Sequence, residues 1–414
     1  MKKIISYVLV LGLFLLSGCG SWPPPNSPGT TGAGTGSAPA PASDVEIVYE
    51  PYVFDEAKAI PALRLLEYYH LNAVEMKLYE ELLAGVKNLE PVIYLETPLH
   101  VSNDDDHKMF GKVRSVLTAV HPEIFWLSLN WSWGNLTDGT PYVSPPYLID
   151  SQSFGAAVVD RSFLLPTDDE IADAKAWIEK QQSGLPNILD ELPVHSGMPP
   201  FELELAVHDW LCLNISYDNS VTNDSTLYGA LIEKTAACDG YSKAFQYIMG
   251  LMGIECLMIY GTFDSGIHAW NAVKLDGQWY QVDVTSNTTS MRHANLPSRE
   301  YLNRTDEYMS FDHEWRDTGI NRVNAPIVCS ETVYNYFVMA GQHPITSDKD
   351  FTRTVPDIIA QARADGKPMF ELEFDPAYAK PEDIVEKKKL LDARLWEDVV
   401  FYWSDRLVTG VFEK

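Results

Sequence analysis

Three residues whose side chains can carry out acyl transfer occur in the order Cys238, His268 and Asp283. A thiol that attacks, an imidazole that takes its proton and a carboxylate that orients the imidazole are the parts of a catalytic triad. Such a group cleaves an amide by holding the acyl part as a thioester. The three residue types therefore predict a cysteine acyl-transfer site, if the fold brings their side chains together.

The residues after Cys238 predict a helix that begins at the thiol. Apolar residues recur at helical steps along one face, and Gly253 stands where a helix end favours glycine. Unpaired N–H groups and the helix dipole at such a start favour a thiolate and can face a developing oxyanion. The following run, residues 254–260, predicts a buried strand with Cys256 as a core thiol.

Two strand-like runs flank the dipeptide Asp276-Gly277, which is a strong hairpin signal. A two-residue turn would place Asp283 opposite Trp270 and diagonal to His268, on one face of the hairpin. Diagonal neighbours lie about 7–8 Å apart, which lets an imidazole N–H reach a carboxylate. The helix that carries the thiol must then pack across this hairpin to complete the triad.

Four short motifs follow one another in this region: Cys238-Asp239-Gly240-Tyr241, His268-Ala269-Trp270-Asn271, Gly277-Gln278-Trp279-Tyr280 and Asp283-Val284-Thr285. Their order and spacing over residues 224–290 resemble the core of the transglutaminase-like superfamily, which includes papain-like folds. The resemblance implies an α+β fold in which the helix bearing the cysteine packs on an antiparallel sheet. It also implies that Cys238 is the nucleophile, His268 the base and Asp283 the orienting group of a cysteine peptidase or acyltransferase.

The sequence departs from the usual pattern of that family at two places. Val284 stands where members usually have proline, and Ala236-Ala237 replaces a larger apolar residue before the cysteine. Neither change removes a catalytic atom, but both affect the expected shape of the pocket.

Three further residues near the triad have less specific expectations. Tyr228 is expected to be a packed aromatic, with donation of a hydrogen bond to an oxyanion as the alternative, and Trp270 is expected in the core or the pocket wall. His313 is expected to cap or pack, within a segment, 301–315, that resembles one often found after the family core.

The chain shows no pattern typical of a metal or cofactor site. Cys212, Cys256 and Cys329 lie in no Cys-x-x-Cys or Cys/His cluster. A metal site built on His268 and Asp283 lacks further ligands at helical or hairpin spacing. We expect neither metal nor cofactor. The alternative to an enzyme is a surface-binding or scaffold protein that retains the fold without catalysis.

The N-terminus predicts export and a lipid anchor. Residues 1–18 combine a basic start with a short apolar run, as in a signal peptide, and Leu-Ser-Gly before Cys19 resembles the lipobox of bacterial lipoproteins. Residues 19–44 are rich in Pro, Gly, Ser and Thr and predict a flexible linker. We expect an extracytoplasmic protein anchored to the membrane through Cys19, at the cell surface or in the periplasm; an ordinary signal peptide is the alternative.

Charge and element patterns set the remaining expectations. A formal charge of −27 argues against nucleic acid as a partner and leaves a peptide or protein, such as a cell-wall peptide. The predicted units are a mainly helical region over 45–190, the catalytic core over 191–320 and a small α/β extension over 321–414. Finer predictions are helices over 55–90, 108–120, 168–183, 200–213 and 381–395, loops over 130–150, a strand over 369–374 and a hairpin over 399–412.

Overall fold

A helix packed on a four-stranded antiparallel sheet forms the centre of the fold. The computed structural model describes residues 50–413, apart from 56, 128–130, 150–151, 155–165, 265, 291–295, 316–322 and 405. The predicted signal peptide, Cys19 and the linker lie outside these residues. Within the described chain, no helix combines the length and the apolar character that crossing a bilayer requires.

The chain alternates helices and short strands throughout, so the fold is α+β, as predicted. The helices are α1 Ala62–Leu66, α2 Ala73–Lys87, α3 Asp104–Val120, α4 Asp168–Gln182, α5 Leu185–Leu189, α6 Pro200–Asn214, α7 Leu227–Leu231, α8 Cys238–Leu251, α9 Val284–Ser290, α10 Asp306–Met309, α11 Tyr336–Met339, α12 Asp348–Ala364 and α13 Ile384–Lys387. The strands are β1 Ile93–Tyr94, β2 Ser132–Asn135, β3 Pro141–Ser144, β4 Tyr147–Ile149, β5 Gln152–Phe154, β6 Ser216–Tyr217, β7 Thr235–Ala236, β8 Cys256–Phe263, β9 Gly266–Leu275, β10 Gln278–Val282, β11 His313–Glu314, β12 Met369–Glu373, β13 Val399–Trp403 and β14 Leu407–Phe412.

The central sheet has the order β10-β9-β8-β11, and its hairpin has the predicted register. Gln278 pairs with Leu275, and the pairing continues to Val282 opposite Asn271. The strand ends there, because the chain turns into α9 directly after Asp283. The predicted pairing of Trp270 with Asp283 is therefore wrong. The Asp283 N–H donates to a loop carbonyl instead, that of Tyr301.

Helix α8 begins at Cys238, as the sequence predicted, and packs on β8 and β9. Tyr241, Phe245 and Ile248 are among its fully buried residues and form its core-facing side. Side-chain bonds fix the helix to the sheet: Gln246 donates to the Cys256 carbonyl at 3.1 Å, and Asn271 donates to the Ser242 carbonyl at 3.0 Å. The helix that carries the thiol is thus held rigidly across the sheet that carries the imidazole.

The N-terminal region differs from the predicted run of helices in two places. A helix over 55–90 breaks at His70, whose φ of 49° is left-handed, and restarts when Asn72 and Glu75 form a capping box. The predicted loops over 130–150 contain β2 and β3, which join β1 in a small sheet. The helix predicted over 168–183 is confirmed as α4, which begins with a capping box between Thr167 and Glu170.

Residues 345–412 form a second hydrophobic cluster, in which α12 packs on the sheet β12-β14-β13. The predicted hairpin is confirmed, with Trp403 opposite Val408. The helix predicted over 381–395 is wrong, because α13 has only four residues and lies between 3₁₀ turns. Residues 323–336 contribute apolar side chains to the first cluster rather than to this one.

A buried ion pair and a hydrogen bond from a backbone N–H join this C-terminal cluster to the core. Glu373 on β12 accepts from Arg304 at 3.2 Å, and Glu371 accepts the backbone N–H of Arg299 at 3.2 Å. Both arginines lie in the loop that leads from α9 towards β11. The strand β12 therefore fixes a segment next to the end of β10.

Replacing Gly261 with alanine is expected to lower the free energy of unfolding by about 1–3 kcal/mol, because the position is already filled. An added Cβ would lie 2.0 Å from the Glu314 carbonyl oxygen and 2.7 Å from Cη2 of Trp270. Gly250→Ala is the matched control, since nothing lies within 4 Å of its Cβ; helix propensity should there raise stability by about 0.5–1 kcal/mol. Urea unfolding of both variants tests this, and equal midpoints would contradict the packing argument.

Candidate active site

His268 and Asp283 meet as the sequence predicted. His268 lies near the start of β9 and Asp283 immediately follows β10, and the His268 Nε2 lies 2.7 Å from the Asp283 Oδ2. Both side chains are buried. Because Nε2 is occupied by the carboxylate, Nδ1 is the nitrogen left for the thiol.

Cys238 lies close enough to His268 to act on it electrostatically. It is the first residue of α8, is partly exposed, and is one of the two residues that raise the pKa of His268, after Asp283. The preceding Ala237 offers no side-chain cap, so the first-turn N–H groups are not capped from that position. The structure thus brings all three predicted triad residues together.

Gly240 explains why the helix can start so close to the upstream loop. A Cβ at this position would lie 2.4 Å from the Asp224 carbonyl oxygen and 2.8 Å from the Ala236 Cβ. The Ala237 N–H also donates to the Asp224 carbonyl, at 2.8 Å. The small residues around Cys238 therefore allow the loop to close against the first turn of the helix.

The buried pair is held in its charged form. Burial alone raises the pKa of Asp283, but His268 and then His313 outweigh it, so that pKa falls well below its usual range. Burial likewise lowers the pKa of His268, and Asp283, followed by the Cys238 thiol, outweighs it and raises that pKa. The site therefore favours an imidazolium beside an ionised carboxylate at neutral pH.

Asp283 also bonds to Ser286, in the first turn of α9. The Ser286 N–H donates to Oδ1 at 2.9 Å, and its hydroxyl donates to Oδ2 at 2.6 Å. A carboxylate held on both oxygens cannot rotate freely. Helix α9 therefore fixes the orientation of the Asp283 carboxylate, which in turn contacts His268.

His313 is a second imidazole in the site, and the sequence analysis expected it only to cap or pack. Its Nε2 lies 3.1 Å from the Asp283 Oδ2, and its Nδ1 lies 2.6 Å from Oδ1 of Asp312. It is fully buried, on the two-residue strand β11. A strand of that length gives no periodic pattern, and the sequence offered only the segment's family resemblance as a signal.

Trp270 supports the base from below. Its ring stacks on that of His268, with centroids 5.7 Å apart and planes 22° apart, and its Nε1 donates to Gln281 at 2.7 Å. The indole is 0% exposed. It is therefore a buried wall that fixes the plane of the imidazole, not an exposed pocket surface.

Tyr217 lies nearer to the triad in electrostatic terms than Tyr228, the residue the sequence suggested. Burial first, then Cys238, Asp224 and Asp283, raise the pKa of Tyr217. The Tyr228 ring packs against that of Phe125, with centroids 5.6 Å apart. Burial raises the pKa of Tyr228, and the residues that also affect this pKa are Glu233 and Gln181. Tyr217 is on the two-residue strand β6, which again is too short for sequence patterns to detect.

The side chains of His268, Asp283 and His313 offer ligand atoms within 4.8 Å of one another. Both imidazoles, however, already lie at hydrogen-bond distance, 2.7 and 3.1 Å, from one carboxylate oxygen. Bonds to zinc of about 2.0–2.2 Å would require ligand atoms about 3.4 Å apart, so both contacts would have to open. The arrangement is that of a hydrogen-bonded network rather than of a metal site.

Known proteins are similar to this chain over part of its length. Mouse kyphoscoliosis peptidase is 30% identical over 151 residues, which are 30% of this chain and 22% of that protein. The human protein of that name is 28% identical over 122 residues, 25% of this chain and 18% of the relative. The chain thus matches about a fifth of the length of these relatives.

Two solved structures are similar at low identity. A crystal structure of a TGase is 14% identical, covers 38% of this chain and 44% of its own, and has a TM-score of 0.24. A proposed cysteine protease from Cytophaga hutchinsonii is 15% identical, with coverage of 38% and 62% and a TM-score of 0.22.

The family comparison falls on the candidate site. A family model of the transglutaminase-like superfamily core matches residues 192–284. This segment runs from before α6 to the first residue of α9 and contains Cys238, His268 and Asp283. Residues 192–284, which carry the candidate site, thus match the core of the transglutaminase-like superfamily.

Proposed function

We propose that this protein is a cysteine acyl-transfer enzyme that acts on amide bonds of peptides or proteins. Cys238 is the nucleophile, His268 the base and Asp283 the group that orients the base. The observation that carries the proposal is the His268 ring, whose Nε2 lies 2.7 Å from Oδ2 of Asp283 and whose pKa Asp283 and then the Cys238 thiol raise against burial. The match of residues 192–284 to the transglutaminase-like core supports it.

The first half-reaction breaks the amide. The thiolate sulfur adds to the carbonyl carbon, and the C=O electron pair moves to oxygen. When the tetrahedral intermediate collapses, the C–N bond breaks and the His268 imidazolium gives its proton to the leaving amine. The products are a thioester on Cys238, a free amine and a neutral imidazole.

The second half-reaction releases the acyl group. Water, or a lysine amine, adds to the thioester carbonyl while His268 takes the proton, and the C–S bond breaks to restore the thiolate. Asp283 stabilises the imidazolium in both steps without being protonated itself. Hydrolysis is the proposed outcome, and the relatives named as peptidases agree with it.

Two groups are suited to hold the oxyanion. The N–H groups in the first turn of α8 lie beside the sulfur and are not capped by the Ala237 side chain. The Tyr217 hydroxyl, whose pKa responds to burial and to Cys238, is the second. Together they would stabilise the negative charge that develops next to the thiol.

The location belongs to the same proposal. Leu16-Ser17-Gly18 before Cys19 supports a lipid anchor, and residues 19–44 are a suitable tether. Two or more acyl chains at Cys19 would hold the enzyme stably on the membrane. The charge of −27 favours neutral or basic peptides over strongly anionic polymers as substrates.

Cys238→Ala is expected to abolish both peptide hydrolysis and incorporation of an amine donor, because the acyl-enzyme cannot form. The measurement is a paired screen of peptide hydrolysis and amine incorporation on the full chain. Cys329→Ala, a buried thiol outside the triad, is the control and should keep the wild-type rate. Equal activity of wild type and Cys238→Ala would reject Cys238 as the nucleophile, and no activity in the wild type would favour a scaffold.

Iodoacetamide is expected to alkylate Cys238 rapidly at pH 6, well below the pH of about 8.5 at which an ordinary thiol ionises. The physical reason is the imidazolium, which stays protonated because Asp283 raises the pKa of His268 against the effect of burial. In His268→Ala the rate at pH 6 should fall about tenfold or more. Peptide mass mapping reads the modification at Cys238 alone, and equal rates in both proteins would contradict the ion pair.

Tyr217→Phe is expected to lower kcat by about tenfold while leaving KM nearly unchanged, because an oxyanion donor acts in the transition state. Tyr228→Phe is the matched control, since its ring packs against Phe125, and its kcat should match the wild type. A loss confined to Tyr228→Phe would reverse the assignment.

A further inference from the structure

Both ring nitrogens of His313 face carboxylate oxygens. Nδ1 lies 2.6 Å from the Asp312 Oδ1, and Nε2 lies 3.1 Å from the Asp283 Oδ2. The Tyr301 hydroxyl donates to the other Asp312 oxygen at 2.7 Å, so Asp312 is an acceptor on both sides. An ionised carboxylate only accepts hydrogen bonds, and therefore both nitrogens of His313 must donate. The ring is an imidazolium.

Packing fixes this ring as firmly as its hydrogen bonds do. The centroids of Phe263, Trp270 and Tyr301 lie 4.8, 4.9 and 5.2 Å from that of His313. His313 is 1% exposed, and its backbone pairs with Phe263 at the edge of the central sheet. A cation fully enclosed beside a catalytic carboxylate is costly to bury, so its charge must be compensated where it lies.

We propose that His313 is a positioning residue: a buried imidazolium that donates to Oδ2 of Asp283, the same oxygen that His268 contacts, so that two rings compensate the charge of this carboxylate. This inference rests on the proposed function, because it assigns a role relative to the same triad. The network is then a chain of five groups, Cys238, His268, Asp283, His313 and Asp312. His313 does not touch the reacting atoms and acts through Asp283.

The sign of the electrostatic effect follows from the charges that face the ring. His313 contacts the carboxylates of Asp283 and Asp312, and the Tyr301 hydroxyl donates to Asp312. The centroid of the His268 ring lies 5.8 Å from that of the His313 ring. A second cation at that distance opposes protonation of His268 and favours the thiolate beyond it. Removing it should therefore raise the pH at which Cys238 becomes reactive and the pH at which His268 loses its proton. The acidic limb and the basic limb of the pH–rate profile then both move to higher pH.

The experiment compares His313→Phe with wild type in the full chain. Phenylalanine keeps an aromatic ring packed among Phe263, Trp270 and Tyr301 and removes both N–H donors. Cys238 alkylation by iodoacetamide from pH 5 to 10, read by peptide mass mapping, gives the acid limb without any substrate. Its midpoint is expected to rise by about one pH unit. With a peptide substrate, kcat at pH 7 is expected to fall about tenfold because Asp283 loses one of its anchors.

Two further variants keep the test decisive. Asp312→Asn leaves the ring in place but removes one of its carboxylates, so the same shift should appear with a smaller size, even if His313→Phe does not fold. Glu314→Gln, on the same strand with an exposed side chain, should follow the wild-type profile. Profiles of His313→Phe and Asp312→Asn that overlay the wild type would overturn the inference and leave His313 a packing residue.

The outcomes also separate this inference from the proposed function. If wild-type Cys238 reacts only above pH 8, the triad proposal fails first. If wild type reacts at pH 6 and neither variant shifts, the triad stands and the role of His313 falls. A wild-type profile that changes on treatment with EDTA would instead mean that the two imidazoles hold a metal, which also overturns the inference.

Discussion

The bond between Asp283 and His268 is the interaction on which the candidate site depends, because it places an ionised carboxylate where water cannot reach it. Asp283 is 0% exposed, and an unpaired buried charge costs several kcal/mol. Four donors satisfy it: His268, His313 and two from Ser286. They come from β9, β11 and α9, so three separate elements must be correctly placed before this one side chain can be buried.

The same requirement gives the C-terminal cluster a part in the site. The Tyr301 carbonyl accepts the Asp283 N–H, and its hydroxyl supports Asp312. Arg304, three residues further, exchanges backbone hydrogen bonds with Gln281 on β10 and pairs with Glu373 on β12. Separating Arg304 from Glu373 would leave an uncompensated charge in the interior, which is costly. The pair therefore holds the loop that carries Tyr301 against β12. The extension is thus physically linked to the triad, although Cys238, His268 and Asp283 all lie outside it.

The parts of this site that the sequence predicted are those with local signals. The start of α8 follows from helical periodicity after Cys238, and the hairpin register follows from Asp276-Gly277. The turn of the chain after β10 depends on hydrogen bonds to residues distant in sequence, such as that from Asp283 to Tyr301. The alternating pattern of the sequence carries no sign of these bonds, so it predicted a strand that is too long. Tyr217 and His313 lie on strands of two residues, whose partners are fixed only by tertiary packing. His70 interrupts a helix because its backbone is left-handed, and a histidine in the sequence does not predict that conformation.

If the protein is the proposed acyl-transfer enzyme, burial within the triad also bears on where the acyl acceptor is chosen. His268 and Asp283 are enclosed, while Cys238 is partly exposed at the start of α8. Trp270 closes the site beneath the imidazole. In the proposed reaction, substrate and acceptor would therefore both approach the partly exposed thiol at the first turn of α8. Hydrolysis requires water to reach the thioester there, and transamidation requires an amine to exclude it. The residues around the sulfur, rather than the triad itself, decide between the two reactions.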